Sequence, residues 1–261
     1  MSKLIGGNPA LSQDKFSDFV IDSGERMTLN GAIQKTFILF ALLVIPASFL
    51  YYKIASAVTV LPDGTTLFGP AVSAYTPLIW GGAIVGLIAV FVGIFKKEWS
   101  PITAPIYSVG YGLAIGGITA MYGLQFQGIV FQAICLTLGV LLIMLGLFSS
   151  NVLRATPKFT KIVSALIFGI FFTYLVSWIL GMFGITVPFL HTNSMFGIAF
   201  TAGVCIVAAL SLIIDFEVIK QGADQGAPKY MEWYGAMGLI ITLVWLYLNI
   251  LRLLAALQSR D

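Results

Sequence analysis

Seven apolar runs, each separated from the next by a shorter polar stretch, organise the sequence. They fall at 33–52, 78–95, 104–122, 129–148, 162–184, 194–214 and 234–257. A helix that crosses about 30 Å of hydrocarbon needs about 20 residues at about 1.5 Å each, and every run approaches or exceeds that length. The pattern predicts an all-α, polytopic membrane protein of seven helices. It divides the chain into a polar N-terminal segment (1–32), a seven-helix transmembrane domain (33–257) and a short tail (258–261). Local signals agree. Thr28 or Asn30 is placed to cap the first helix, and Pro46 inside it implies a kink. Pro62-Asp63-Gly64 is a turn signal. Lys96-Lys97-Glu98-Trp99 stops the second run, and Pro101 and Pro105 flank the start of the third, where proline is tolerated.

Composition removes the alternatives. Of 261 residues, 59% are hydrophobic and only 10% charged, with a mean hydropathy of +0.97. Soluble domains carry about 25% charged residues, so a soluble fold is excluded. The net charge of +3 is spread over short loops, with no basic patch interleaved with aromatics of the kind that binds nucleic acid. No Walker loop, HExxH or nucleophile elbow occurs, and no histidine links a serine to a carboxylate; an enzyme is not expected, and neither is a cofactor. Cys135 and Cys205 lie inside apolar runs without metal-ligand spacing and read as small packing residues. His191 stands alone, which argues against zinc. The first 32 residues lack the order of a cleaved signal peptide.

Charge also orients the chain. Lys3, Lys15 and Arg26 precede the first run. Lys96 and Lys97, then Arg154, Lys158 and Lys161, then Lys220 and Lys229 follow runs two, four and six. The opposite side holds Lys53 and the tail residue Arg260. The excess of basic residues marks the cytoplasmic side, so the N-terminus is expected inside, the C-terminus outside, and the protein in the cell inner (cytoplasmic) membrane with the lipid bilayer as its first partner. Gly82–Gly86 and Gly112–Gly116 are small-xxx-small pairs suited to close helix packing.

Runs six and seven each carry a polar stripe. Thr201, Cys205, Ala208, Ser211 and Asp215 share one face of run six. Gly235, Gly238, Thr242, Trp245, Asn249 and Arg252 share one face of run seven. Such stripes turn toward each other or toward water, which puts run seven inside the bundle. The stripes read either as interhelical hydrogen-bonding glue or as a narrow polar path guarded by Asp215 at its cytoplasmic mouth. Asp215 reads either as an interfacial residue paired with Lys96, Lys97 or Lys220, or as a gate. Burial favours the neutral form of a carboxyl and a nearby cation favours the charged form, and such a group can bias two helices between packings. Glu232, at the entry of run seven, is a second carboxylate placed to approach Asp215. Calcium takes several oxygen ligands, so one or two carboxylates would pass the ion and hold it only weakly and transiently.

Three stretches carry a resemblance: MTLNGAIQKTFILFALLV (27–44), KKEWSPITAPIYSVGYGLAIGGI (96–118) and SLIIDFEVIKQGADQGAPKYMEWYGAMGLIITLVWLYLNILRLL (211–254). With the order and spacing of all seven runs, the chain resembles the Bax inhibitor-1/YccA-like membrane proteins, the transmembrane Bax inhibitor motif family. Its DFEVIKQGADQGAPKYMEWYGA block is similar to a bacterial subgroup. The resemblance implies seven helices with the seventh central. It implies a pH-sensitive calcium leak in some members, and in YccA-like members the restraint of a membrane-anchored AAA protease. Asp215 matches the family's aspartate at the end of helix six. The channel-like members add a second aspartate in helix seven, where this chain has Thr242 in one register and Asn249 in the other. The family's two-carboxylate sensor is therefore incomplete. Lys96 or Lys97 matches its basic residue after helix two, a candidate counter-ion for Asp215. The function expected is a proton-sensitive calcium or cation leak gated at Asp215, with a non-transporting regulator of a membrane protease as the alternative.

Overall fold

The computed structural model describes residues 26–60, 66–67, 69–184 and 195–259. The expectations for Lys3, Lys15, Pro62-Asp63-Gly64, His191 and Arg260 lie outside the described residues. Seven helices are long and apolar enough to cross a membrane. They are α1 (Leu29–Ser56), α2 (Gly69–Phe95), α3 (Ser100–Gln125), α4 (Ile129–Ser149), α5 (Pro157–Met182), α6 (Met195–Asp224) and α7 (Met231–Gln258). A two-residue antiparallel ladder, β1 (Thr59–Val60) on β2 (Thr66–Leu67), joins α1 to α2, and a single 3₁₀ turn (Lys97–Trp99) joins α2 to α3. Successive crossings put the starts of α1, α3, α5 and α7 at one face, the near face, and their ends at the far face.

The helix ends follow local chemistry. Thr28 is the N-cap of α1, its hydroxyl accepting from the Gly31 N–H at 3.0 Å, and Thr156 caps α5 in the same way through Phe159. Asn30, the other candidate cap, is inside α1. Pro46 lies within α1, where it removes one rung of the backbone ladder. Gly128 enters α4 at φ 74, a left-handed conformation that glycine adopts without strain.

Two helices run well beyond their apolar runs. α2 begins nine residues early, at Gly69, with Pro70 in its first turn, where proline is tolerated; Ser73 donates to the Pro70 carbonyl at 3.0 Å and Thr76 to that of Val72 at 3.1 Å, which satisfies both hydroxyls inside the helix. α6 continues past Ile214 to Asp224. Charged and polar residues lower the hydropathy there, but Leu212, Phe216 and Ile219 keep one buried face at helical spacing.

α7 is the central helix. It packs on α1, α3, α4 and α6, approaches α2 where Met237 closes over Gly93, and reaches α5 through Arg252 and Tyr174. Around it, α1, α2 and α3 form the tightest contact. A side chain at Gly82 would strike the Gly110 backbone, and side chains at Gly112 and Gly116 would strike the backbones of Leu43 and Ala47. The small-xxx-small pairs thus serve packing inside the bundle. Cys205 is half-buried against the core, whereas Cys135 is exposed on α4 and lies outside the core.

Candidate functional site

The site is a crevice between α5, α6 and α7, about 430 Å³ in volume. α6 contributes Ser211 and Asp215, α7 contributes Thr242 and Trp245, and α5 contributes Ser164, Phe171 and Tyr174. Because α6 extends to Asp224, Asp215 stands nine residues, or about 14 Å, inside the helix end. It directly follows Ile214, the last residue of the apolar run, and the helix continues past it with Glu217, Lys220 and Asp224.

The side chain that faces Asp215 from α7 is Thr242. One carboxylate oxygen, Oδ2, is buried without a hydrogen-bond partner, and Asp215 forms no ion pair with a described residue. Ser211, one turn away, donates back to the Ala208 carbonyl at 2.8 Å and leaves the acid alone. A carboxylate so placed is costly unless water, a cation or a proton reaches it, and the crevice adjoins it.

The remaining expectations sort by geometry. Lys96 and Lys97 are not counter-ions of Asp215. Their connector packs on the first turn of α7 and on its own aromatic residue. Lys96 Nζ lies 4.8 Å from the centre of the Trp99 ring and Lys97 Nζ lies 5.3 Å from that of Tyr234, cation–π contacts in both cases. Lys220 lies 5.9 Å from the Phe148 ring. Glu217 accepts from Gln221 at 2.8 Å.

Glu232 does not approach Asp215 either. It stands ten residues before Thr242 on α7, about 15 Å along the axis, and turns to α1. Its Oε1 accepts from both the N–H and the hydroxyl of Thr28, each at 3.0 Å, and its Oε2 lies 3.7 Å from Lys35 Nζ. Gly31 leaves the space that the carboxylate fills. Glu232 is 1% exposed, and its role is to clamp the start of α7 on the start of α1. The loop before it reinforces the clamp through an antiparallel bridge, with Met27 N–H donating to the Ala227 carbonyl at 2.7 Å.

Asn249, the rival register to Thr242, is buried and donates within its own helix to the Trp245 carbonyl at 2.7 Å. Arg252 is exposed and belongs to the rim: it donates to the Tyr174 hydroxyl at 3.1 Å and lies 5.7 Å from that ring. The stripe on α7 is therefore not one continuous path. Thr242 and Trp245 enter the crevice, Asn249 does not, and Arg252 meets its far end through Tyr174.

The α5 wall and the Glu232–Lys35 clamp went unseen in the sequence. Nothing in the largely apolar run of α5 separates Tyr174 from lipid-facing aromatics. The clamp did leave a sign, a lysine at position 35 within the first apolar run and a glutamate at the same end of the seventh.

Fold and site together define a multi-pass α-helical membrane protein with an unpaired acid set between its central helix and its most lightly held one. Among the described residues no group of three or more His, Cys, Asp or Glu side chains converges in a way that would hold a metal. The chain belongs to the Bax inhibitor 1 like family, whose model matches residues 8–259. No curated protein and no solved structure matches it.

Proposed function

We propose that this protein is a pH-sensitive cation leak, with calcium among the ions passed, and that the proton on Asp215 sets whether the crevice is shut. The observation that carries this reading is the buried, unpartnered Oδ2 of Asp215 on the wall of a crevice. An uncharged acid tolerates apolar walls. A charged one needs water or an ion, and with no basic side chain paired to it among the described residues both would arrive through the crevice. Proton binding thus favours the closed packing of α5 on α6 and α7, and proton loss favours a hydrated, cation-accepting one. Asp215 and the Thr242 hydroxyl supply fewer oxygens than the six to eight that calcium takes, which suits passage and not storage. The basic residues at the near face, Lys96, Lys97, Arg154, Lys158, Lys161, Lys220 and Lys229, support a near face turned to the cytoplasm and residence in an inner membrane.

The test is calcium flux in proteoliposomes from mildly acidic to mildly alkaline pH. Flux is expected to rise with pH in the wild type and to be low and flat in Asp215→Asn. Equal flux in both, or none in the wild type, rejects the leak. The second outcome leaves the alternative, a non-transporting regulator that binds a membrane-anchored AAA protease. Such a partner would have to dock elsewhere than on the Gly82–Gly86 and Gly112–Gly116 faces, which α1, α2 and α3 occupy among themselves.

A further inference from the structure

A second crevice of about 430 Å³ lies on the other side of α7, between α1, α3, α4 and α7. Its floor is buried: Leu43, Ile115, Ile240 and Leu243 are at most 7% exposed. Its lips belong to α1 and α4. Val44 and Ile134, on the two lips, are 38% and 43% exposed, so the opening is continuous with the apolar surface that these two helices turn to the bilayer.

The lining is largely apolar. Thr119 and Tyr247 bond each other at 3.0 Å, and Thr137 donates to the Ala133 carbonyl at 2.7 Å. Water does not settle in apolar space, and an empty crevice of this size would forfeit the packing contacts of every wall. What adjoins the opening is lipid. The dimensions fit one chain of it. From Phe40 to Tyr51 the crevice follows α1 for eleven residues, about 16 Å, which is half of the roughly 30 Å hydrocarbon layer. It runs from mid-bilayer toward the far face, where α1 ends. The hydroxyls of Tyr51, Thr119 and Tyr247 gather toward that end, where a polar ester group could meet them.

We propose that this crevice is a binding site for one acyl chain of a phospholipid from the far leaflet. The chain end rests on Leu43 and Ile240, and the ester end lies by Thr119 and Tyr247. This is separate from the Asp215 crevice and does not depend on it.

The probe is a phospholipid carrying a photoreactive diazirine, either at the chain terminus or near the ester, in vesicles of phosphatidylcholine and phosphatidylglycerol that hold the whole chain. Labelled residues are mapped by mass spectrometry. The terminal diazirine is expected to label Leu43 and Ile240, and the ester-end diazirine Thr119 and Tyr247. Val44→Trp and Ile134→Trp, which fill the mouth from opposite lips, are each expected to abolish floor labelling. Phe168 on α5, 72% exposed, keeps its labelling and reports that each variant is inserted in the bilayer, and an unchanged thermal unfolding midpoint reports that it is folded. The wild-type map decides by itself whether a chain is present. Labelling confined to Phe168 and the lips overturns the site, and so does the reverse order of the two probes or floor labelling that survives both tryptophans.

Discussion

The α1–α2–α3 contact and the α5 seam represent two ways of holding a membrane helix. Half of the residues of α3 are buried, glycine by glycine against neighbouring backbones. On α5 only Val163 and Ser177 are buried, and its Gly169 and Gly181 face nothing within 4 Å of where a side chain would begin. In lipid no hydrophobic force drives one helix onto another, so close packing and hydrogen bonds decide which contacts are rigid. The first region has the close packing. The second has a crevice, a rim bond from Arg252 to Tyr174, and an acid with a buried, unpartnered oxygen. The contrast teaches where this fold can move: a helix with few buried contacts is drawn from the low-stability end of the structure, and Asp215 lies beside that helix.

The largest effect should come from adding the same side chain to both regions. Gly112→Leu drives a side chain into the Leu43 backbone, which cannot yield as a flexible side chain can. Overpacking of this kind costs about 3 kcal/mol or more. Gly169→Leu meets open space and should change stability by less than about 0.5 kcal/mol. Thermal unfolding of the purified protein in detergent measures both. Equal losses would mean that α5 is held as tightly as α3, and the contrast would fail.

Next in size is the clamp at the near face. Glu232→Ala strips two acceptor contacts from Thr28 and the ion partner from Lys35. Hydrogen bonds to a charged group are worth about 1.5–3 kcal/mol, and a loss of about 2 kcal/mol is expected in the same melt. Gly31→Ala should approach that loss, since its methyl group competes with the carboxylate for one space. If Glu232 were instead a second acid for Asp215, the variant would change the pH response and leave the melt alone.

How far the sequence could be read follows from what each feature depends on. The seven spans and the central place of α7 were legible, because hydropathy and a one-sided polar stripe are properties of a single segment. Thr242 was named with Asn249 as one of two registers, and the facing geometry selects it. The true ends of α2 and α6 were not legible. Their terminal turns are more polar than the runs they extend and helical in detail, with the Ser73 and Thr76 hydroxyls satisfied inside the helix in one and a buried face of Phe216 and Ile219 in the other. The misplaced partners of Asp215 have a different cause. Lys96, Lys97 and Glu232 are chemically suited to meet an acid or replace one, and only the packing of elements far apart in sequence sends them to Trp99, Tyr234 and Thr28 instead.

The smallest effect is the one that links the contrast to function. Ile167 lies on the α5 wall of the Asp215 crevice, so a cysteine there reports how often that wall opens. In a chain with Cys135 and Cys205 replaced by alanine, Ile167→Cys should react faster with a small, membrane-impermeant thiol reagent as pH rises. The rise should exceed what the thiol itself shows in an unfolded control. With Asp215→Asn added, the pH-dependent part should vanish, leaving a rate about tenfold below the alkaline value, equivalent to about 1.4 kcal/mol. Tyr174→Phe removes the acceptor of the Arg252 bond and should raise the rate at every pH without changing its pH dependence. That separation matters, because Tyr174→Phe removes a hydrogen bond and no carboxyl, whereas Asp215→Asn removes the proton-binding group itself. A pH response that survives Asp215→Asn would move the switch away from this carboxylate. A Tyr174→Phe rate equal to the wild type would show that α5 is held by its few buried contacts and not by its rim.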